Sequence, residues 1–292
     1  MIIVRIAGGL GNQMFQYATA RSLAKDRECS FKLDISSCDE DRLREYELNK
    51  LNIIEDVASE QEISLLKKKN AKSPRKFIHR IIRNLMIKKI KHFREVDCFR
   101  FDKMLYKTNL PLYIQGGFVS LKYFDKYRDI FLKEFLPKND ISGKNKELAT
   151  HISSCNSVSV HIRRGDYSFD ENAIKKNGLL PLDYYKQAID IIKSKIDDPV
   201  FFVFSNDMEW VAENFKFDGQ IVFVDNNNDE FGYEDIRLMS LCKSNIIANS
   251  TFSWWGAYLN LTPEKIVIAP RNWLAYKKTN PEEFIPKDWL VI

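Results

Sequence analysis

Between Ser157 and Pro270 the chain alternates short apolar runs with stretches of helical spacing, and this alternation restricts the fold more than any other feature. SVSVHIRR (157–164), PVFFVFSND (199–207), QIVFVD (220–225), NIIANS (245–250) and EKIVIAP (264–270) are short and rich in β-branched or aromatic residues, as buried strands are. PLDYYKQAIDIIKSK, with Pro181 in its first turn, then MEWVAENF, YEDIRLMSLCKS and TFSWWGAYLNL carry helical patterns between them. Apolar strands separated by helices pair in parallel, because each crossover helix covers one sheet face. The expectation is a doubly wound α/β sheet whose ligands sit at the carboxyl ends of the strands.

The first half begins with the same unit. IIVRIA (2–7) reads as a strand, GGLGN as a tight turn, QMFQYATARSLAK as a helix and CSFKLD (29–34) as a second strand. Residues 39–110 are mostly helical in pattern; YIQGGFVS (113–120) is a strand running into a glycine turn, followed by a helix over 121–135. The stretch PKNDISGKN (137–145) is the best linker, which divides the 292 residues into domains 1–145 and 146–292 with a cleft between them.

Composition narrows the function classes. Charged residues make up 29% and the net charge is only +5, so the chain suits anionic ligands without the strong basicity of a nucleic-acid binder. Twelve Lys and Arg and no acid fall within 67–94. That segment is a solvated helix face, an acidic-acceptor site or a contact with an anionic membrane surface. Cys29, Cys38, Cys98, Cys155 and Cys242 are scattered, which predicts free thiols in a cytosolic protein rather than disulfides or zinc. The opening MIIVRIAGG reads as a strand and not as a leader, and no run reaches the roughly 18 apolar residues of a membrane span. The sequons at Asn249 and Asn260 fall in packed segments, so glycosylation is not expected there.

Four segments carry candidate chemistry. In HIRRGDY (161–167), His161, Arg163, Arg164 and Asp166 stand at and just past a strand end. Guanidinium is permanently charged and matches phosphate oxygens with a fork of donors. Alternate strand residues face opposite ways, so both arginines reach one ligand only if the chain turns, which Gly165 permits; otherwise they pair with acids such as Asp166. Gly8, Gly9 and Gly11 either admit an anion to a helix N-terminus or let helix and strand pack. With Asp34 at the next strand end they leave open a nicotinamide-dependent Rossmann oxidoreductase. Asp207, in FSND, either accepts hydrogen bonds from guanine or caps a helix. Ser250, Thr251 and Ser253 either bind phosphate or cap the helix that follows, while Trp254, Trp255 and Tyr258 read as core. Asp39-Glu40-Asp41 looks like a D-x-D metal motif but lacks a leading strand, and His79, His92, His151 and His161 show no ligand spacing, so no metal is expected.

Together GGLGNQMFQYA (8–18), HIRRGDY (161–167), FVFSNDMEWV (202–211) and DIRLMSLCKSNIIANSTFSWWGAYLN (235–260) resemble the α-1,2-fucosyltransferases of glycosyltransferase family 11, in a bacterial form. The resemblance spans most of the chain and fades over 39–110. It implies a GT-B-like architecture, an acceptor-side first domain and a GDP-fucose-binding second domain. It implies inverting transfer of L-fucose, without a metal or other cofactor, from GDP-β-L-fucose to the 2-hydroxyl of a galactoside, in surface polysaccharide synthesis. On this likeness Arg163 holds the donor phosphates; the residue reading adds Arg164, Ser250, Thr251, Ser253, Gly9 and Gly11 as further candidate donor contacts. His161 and Asp207 match guanine-contacting positions, Asn12 matches an asparagine near the reacting centre, and Asp166 and Glu171 are the nearest candidates for a base. Expected partners are the donor and a glycan acceptor, lipid-linked in one version, with the enzyme cytoplasmic or peripheral on the inner face of the plasma membrane. A different linkage or another GDP-sugar donor is the nearest alternative.

Overall fold

The computed structural model describes residues 1–40, 45–67, 91–164 and 178–292. They form two compact units, Met1–Phe135 and Leu136–Ile292.

In the first unit, β1 (Ile2–Arg5) leads through the glycine turn into α1 (Leu10–Asp26), which is followed by β2 (Phe31–Asp34), α2 (Ser36–Glu40) and α3 (Glu60–Leu66). β3 (His92–Arg94), β4 (Leu112–Gln115) and α4 (Arg128–Glu134) complete it. The strands pair in parallel in the order β2-β1-β4-β3. Gly8 turns the chain with φ +78°, a conformation in which other residues are strained. Met14, Phe15, Tyr17, Ala18 and Leu23 of α1 are all buried. The helical reading of 39–110 needs correction, because β3 lies inside it. In this three-residue edge strand only Phe93 is buried, so no apolar run marks it. The helix expected over 121–135 is two 3₁₀ turns followed by α4.

In the second unit, α5 (Gly143–Ser154) precedes β5 (Asn156–Ile162), so part of the polar stretch 137–145 is already helix. Then come α6 (Leu182–Lys193), β6 (Pro199–Ser205), α7 (Met208–Asn214), β7 (Gln220–Val224) and α8 (Gly232–Leu241). β8 (Ser244–Ile246), α9 (Thr251–Leu259), β9 (Val267–Ala269) and β10 (Leu290–Val291) finish the chain. All six strands are parallel, in the order β10-β9-β8-β5-β6-β7. Chain order therefore reverses between β5 and β8, and in such sheets ligands bind at that switch point, outside the carboxyl ends.

The two faces of this sheet differ. Val158, Val160 and Ile162 alternate onto one face, where Phe201, Val203, Tyr185 and Ile189 of α6 and Val211 of α7 close an apolar core. Ser157, Ser159 and His161 alternate onto the other, which is buried and sets these polar side chains beside Phe202 and Phe204. There Asn245 donates to Ser159 Oγ (2.7 Å) and to Met239 O (2.8 Å), while Asn260 donates to Asn245 Oδ1 (2.8 Å) and Cys242 O (2.7 Å). Buried amides are tolerated when their donors are used in this way. Both sequon asparagines are buried, Asn249 at 5% and Asn260 at 1% exposure. Trp254, Trp255 and Tyr258 are core: Trp254 stacks on Tyr258 at 4.7 Å and donates its indole N–H to Phe284 O (2.8 Å). All five cysteines are free. Among the described residues no helix is long and apolar enough to cross a membrane.

Helices α8 and α9 approach closely because Gly256 has no side chain; a Cβ there would stand 2.8 Å from Met239 Cβ. Gly256→Ala is therefore expected to cost about 1–3 kcal/mol through overpacking, against the usual helix-stabilising effect of alanine. Urea unfolding of the two proteins measures this, and an equally or more stable variant would refute the tight contact.

Candidate active site

β5 ends at Ile162, and its carboxyl end and that of β8 flank the switch point. The register Val160↔Ile246 carries His161–Arg164 out on one side and Ile247–Ser250 on the other. Two of the sequence motifs, distant in the chain, therefore meet at one sheet edge.

His161 lies on the face of Ser157 and Ser159, opposite Phe204 of β6, with its ring 5.6 Å from that of Phe252. It is 3% exposed and its Nδ1 is buried without a hydrogen-bond partner. Burial, reinforced by the Arg163 charge, holds its pKa down to about 3. The imidazole is neutral at physiological pH, and its unmatched nitrogen suits a ligand's hydrogen-bonding edge rather than proton transfer.

The two arginines part company. Arg164 extends to the α7 side, where its Nε donates to Asp207 Oδ2 (3.1 Å) and its guanidinium lies 3.4 Å from the centroid of the Trp210 ring. Its backbone N–H donates to Asn206 Oδ1 (3.0 Å). Asp207 also caps α7, its Oδ1 accepting from Trp210 N (3.4 Å). Both carboxylate oxygens of Asp207 thus have protein donors. Arg163 shares the strand parity of His161 and acts on it electrostatically, while its backbone hydrogen-bonds the Tyr185 hydroxyl. Asp166 and Glu171 lie outside the described residues.

On the β8 side, Ser250 caps α9, its hydroxyl accepting from Phe252 N (3.3 Å). Ser253 Oγ is buried, accepting from Ala248 N (3.2 Å) and donating to Ser250 O (3.4 Å). These contacts make the loop a rigid turn that presents the N-terminus of α9, with half-buried Thr251 in its first position.

In the first unit, Gly9 is the N-cap of α1 and Leu10 N donates to Glu47 Oε1 (3.2 Å). Gly11 is buried, and the Asn12 Nδ2 sits 2.9 Å from where a Gly8 Cβ would be. Gln13 and Gln16 tie the turn down through Gly8 O (2.7 Å) and Ala7 N (2.9 Å). Asp34 is fully buried. Its oxygens accept from Ser36 N and Oγ (3.1 and 2.6 Å), Tyr113 Oη (2.5 Å) and Lys67 Nζ (3.4 Å). Burial alone would raise its pKa, but these donors outweigh it and hold the carboxyl below its usual range. An acid enclosed in this way presents no oxygen to a ribose, which removes the contact behind the oxidoreductase alternative.

Two acids escaped sequence reasoning. Asp235, in the first turn of α8, accepts from Asn227 Nδ2 (2.7 Å), and burial, aided by the Glu234 charge, pushes it up to about 7. Glu95, just past β3, accepts from Gly117 N (2.9 Å), Phe118 N (2.7 Å) and Tyr123 Oη (3.0 Å). Burial pushes it up to about 8 against the pull of these donors. Gly116 permits this bracing, since a Cβ there would lie 2.5 Å from Glu95 Oε2. For Glu95 a signal was present, an acid immediately following a strand at its carboxyl end. Among the described residues no group of three or more His, Cys, Asp or Glu is placed to hold a metal ion. Of Asp39-Glu40-Asp41, no side chain is among those described.

Comparison with known proteins gives one coherent picture. The family model for glycosyl transferase family 11 matches residues 1–292. The O-antigen biosynthesis glycosyltransferase WbnK of Escherichia coli is 36% identical over 293 residues, covering 92% of this chain and 94% of that protein. An alpha-1,2-colitosyltransferase of Escherichia coli is 35% identical over 306 residues, covering 100% and 99%. Among solved structures, NodZ alpha-1,6-fucosyltransferase soaked with GDP-fucose superposes with a TM-score of 0.50 at 14% identity, covering 91% of this chain and 94% of that one, which is a likeness of fold.

Two outcomes test the geometry. Arg164→Ala leaves Asp207 without its charged partner and Trp210 uncovered, and is expected to cost about 2–3 kcal/mol in urea unfolding. A loss below about 0.5 kcal/mol would show the clamp to be idle. His161, held near 3 against an ordinary 6.5, refuses a proton that the unfolded chain accepts. Its stabilising contribution is complete above pH 6.5 and falls by up to about 1.4 kcal/mol per pH unit as pH drops from 6.5 towards 3. His161→Gln should show a shallower decline between pH 6.5 and 4.5; an unchanged slope counts against a buried neutral imidazole.

Proposed function

The chain belongs to glycosyltransferase family 11, and from that premise we propose that it transfers L-fucose from GDP-β-L-fucose to the 2-hydroxyl of a galactoside, with inversion at the anomeric carbon. The observation that supports this reading most is the switch-point pairing of β5 with β8, which sets the buried, unmatched His161 and the neighbouring Arg163 beside the N-terminus of α9. A purine edge, a diphosphate and a helix N-terminus form a complementary series.

In the proposed reaction the bond between fucose C1 and the β-phosphate oxygen breaks, and its electron pair stays on GDP. The acceptor oxygen forms the new bond to C1 from the opposite face and gives its proton to a base. Arg163 and the amides that open α9 stabilise the charge growing on the diphosphate. Arg164 is a positioning residue: its clamp on Asp207 and Trp210 fixes the direction in which Arg163 leaves the strand. His161 hydrogen-bonds guanine through its neutral ring. Asp207, whose oxygens also serve Arg164 and the helix cap, is the proposed guanine reader. Asp166 and Glu171 are the proposed bases, and Asn12 and the glycine turn belong to the acceptor side.

The colitosyltransferase relative, aligned along the whole chain, favours a second reading with the same linkage and another donor. Colitose is fucose without the 3-hydroxyl. A site that hydrogen-bonds that hydroxyl rejects the deoxy sugar by about 10⁴, whereas a site that does not discriminates far less.

Arg163→Ala is expected to lower kcat with GDP-fucose by about 10²–10³, equivalent to about 3–4 kcal/mol, while the unfolding curve stays that of the parent. Wild-type turnover in the variant would falsify the role given to Arg163, and a higher kcat/KM for GDP-colitose than for GDP-fucose would move the donor assignment to the second reading.

A further inference from the structure

β5 ends at Ile162, just before Arg163, and its neighbour β8 ends at Ile246, which pairs with Val160. Consecutive N–H groups of a strand point to opposite neighbours. The Arg164 N–H goes to the β6 side, where it donates to Asn206 Oδ1 (3.0 Å). That of Arg163 therefore faces the β8 side, where the ladder has already run out. The Tyr185 hydroxyl accepts it there. Two successive N–H groups that have left the sheet are thus both taken by side chains, one by an amide and one by a phenol.

Tyr185 is itself firmly held. It stands in the first turn of α6, is buried, and packs in the apolar core with Ile162 and Val203, its ring 5.8 Å from that of Phe215. The adjoining Tyr184, ring to ring at 5.0 Å, donates its hydroxyl to Ile247 O (2.7 Å), with Ile268 O at 3.2 Å. One turn of α6 therefore ties together β5, β8 and β9 on the side where ligands bind. A phenylalanine would fill the same apolar volume at 185. A hydroxyl buried there costs free energy unless it is bonded, so core packing accounts for the ring and the Arg163 N–H for the oxygen.

We propose that Tyr185 is a positioning residue for Arg163. Pinning the N–H restrains φ of Arg163, and with it the direction in which the Cα–Cβ bond carries the guanidinium away from the strand. Arg164 secures the strand end from the β6 side and Tyr185 secures it from the β8 side, so Arg163 departs from a backbone gripped on both edges. A cation held in this way need not reorient as charge grows on a leaving group, which is where preorganisation lowers a barrier. The inference rests on the reading of Arg163 as the diphosphate contact and adds the residue that aims it.

A double-mutant cycle of Tyr185→Phe and Arg163→Ala in the full chain tests it, read as GDP affinity by calorimetry and as kcat and acceptor KM with GDP-fucose and lactose. Tyr185→Phe is expected to lower kcat about three- to tenfold, the worth of one neutral hydrogen bond, with acceptor KM unchanged. In the Arg163→Ala background the same substitution should lower neither kcat nor GDP affinity further. Equal losses in both backgrounds would mean a general loosening of the core and overturn the positioning role, as would parental kcat and GDP affinity in Tyr185→Phe. Amide hydrogen exchange reads the geometry without any ligand: the Arg163 N–H should exchange about tenfold faster in Tyr185→Phe while that of Val160 keeps its rate. An unchanged Arg163 rate overturns the cap itself. A parent that binds GDP and transfers no fucose counts against the donor reading alone, because the cycle on GDP affinity still decides the role of Tyr185.

Discussion

The lateral pairing of β5 with β8 is the contact on which the C-terminal unit depends. These strands are far apart in the chain, and only their pairing brings the arginine motif against the N-terminus of α9. Backbone hydrogen bonds alone tolerate a slip of register; the side-chain bond from Asn245 to Ser159 does not. Asn260 fixes Asn245 in turn, which couples the far end of α9 to the same register. Buried polar side chains on one sheet face look wasteful beside an apolar core, yet their bonds specify the alignment of β5 with β8.

Much of this was legible in the sequence because the strands are short, apolar and regularly interrupted. The alternation of Ser157, Ser159 and His161 with Val158, Val160 and Ile162 even announces which residues share a face. What was not legible has physical causes. β3 and β10 are edge strands of three and two residues, too short to leave a hydrophobic period. Asp235 is enclosed partly through Asn227, which is itself held by Asn145, about eighty residues earlier, so no local pattern signals its burial.

The adjacent arginines illustrate how local chemistry and tertiary context divide the work. Residue type alone places two cations at a strand end. Strand parity then sends them apart, and Trp210 and Asp207 capture the second. Asp207 was open to two readings, base recognition and helix capping; in the folded unit it caps α7 and also pairs with an arginine. One carboxylate thereby links the ends of β5 and β6 to the start of a helix, and a strand end that would otherwise fray becomes a fixed mount.

The burial of Asn249 and Asn260 bears on how the protein can be made. Both stand in Asn-x-Ser/Thr triplets, which oligosaccharyltransferase reads on the extended nascent chain before folding hides them. A glycan on Asn260 would displace its bonds to Cys242 and Asn245 and hold α9 away from the sheet. Passage through a eukaryotic secretory pathway therefore threatens the very contact that sets the strand register, whereas synthesis in a compartment without that transferase leaves it intact.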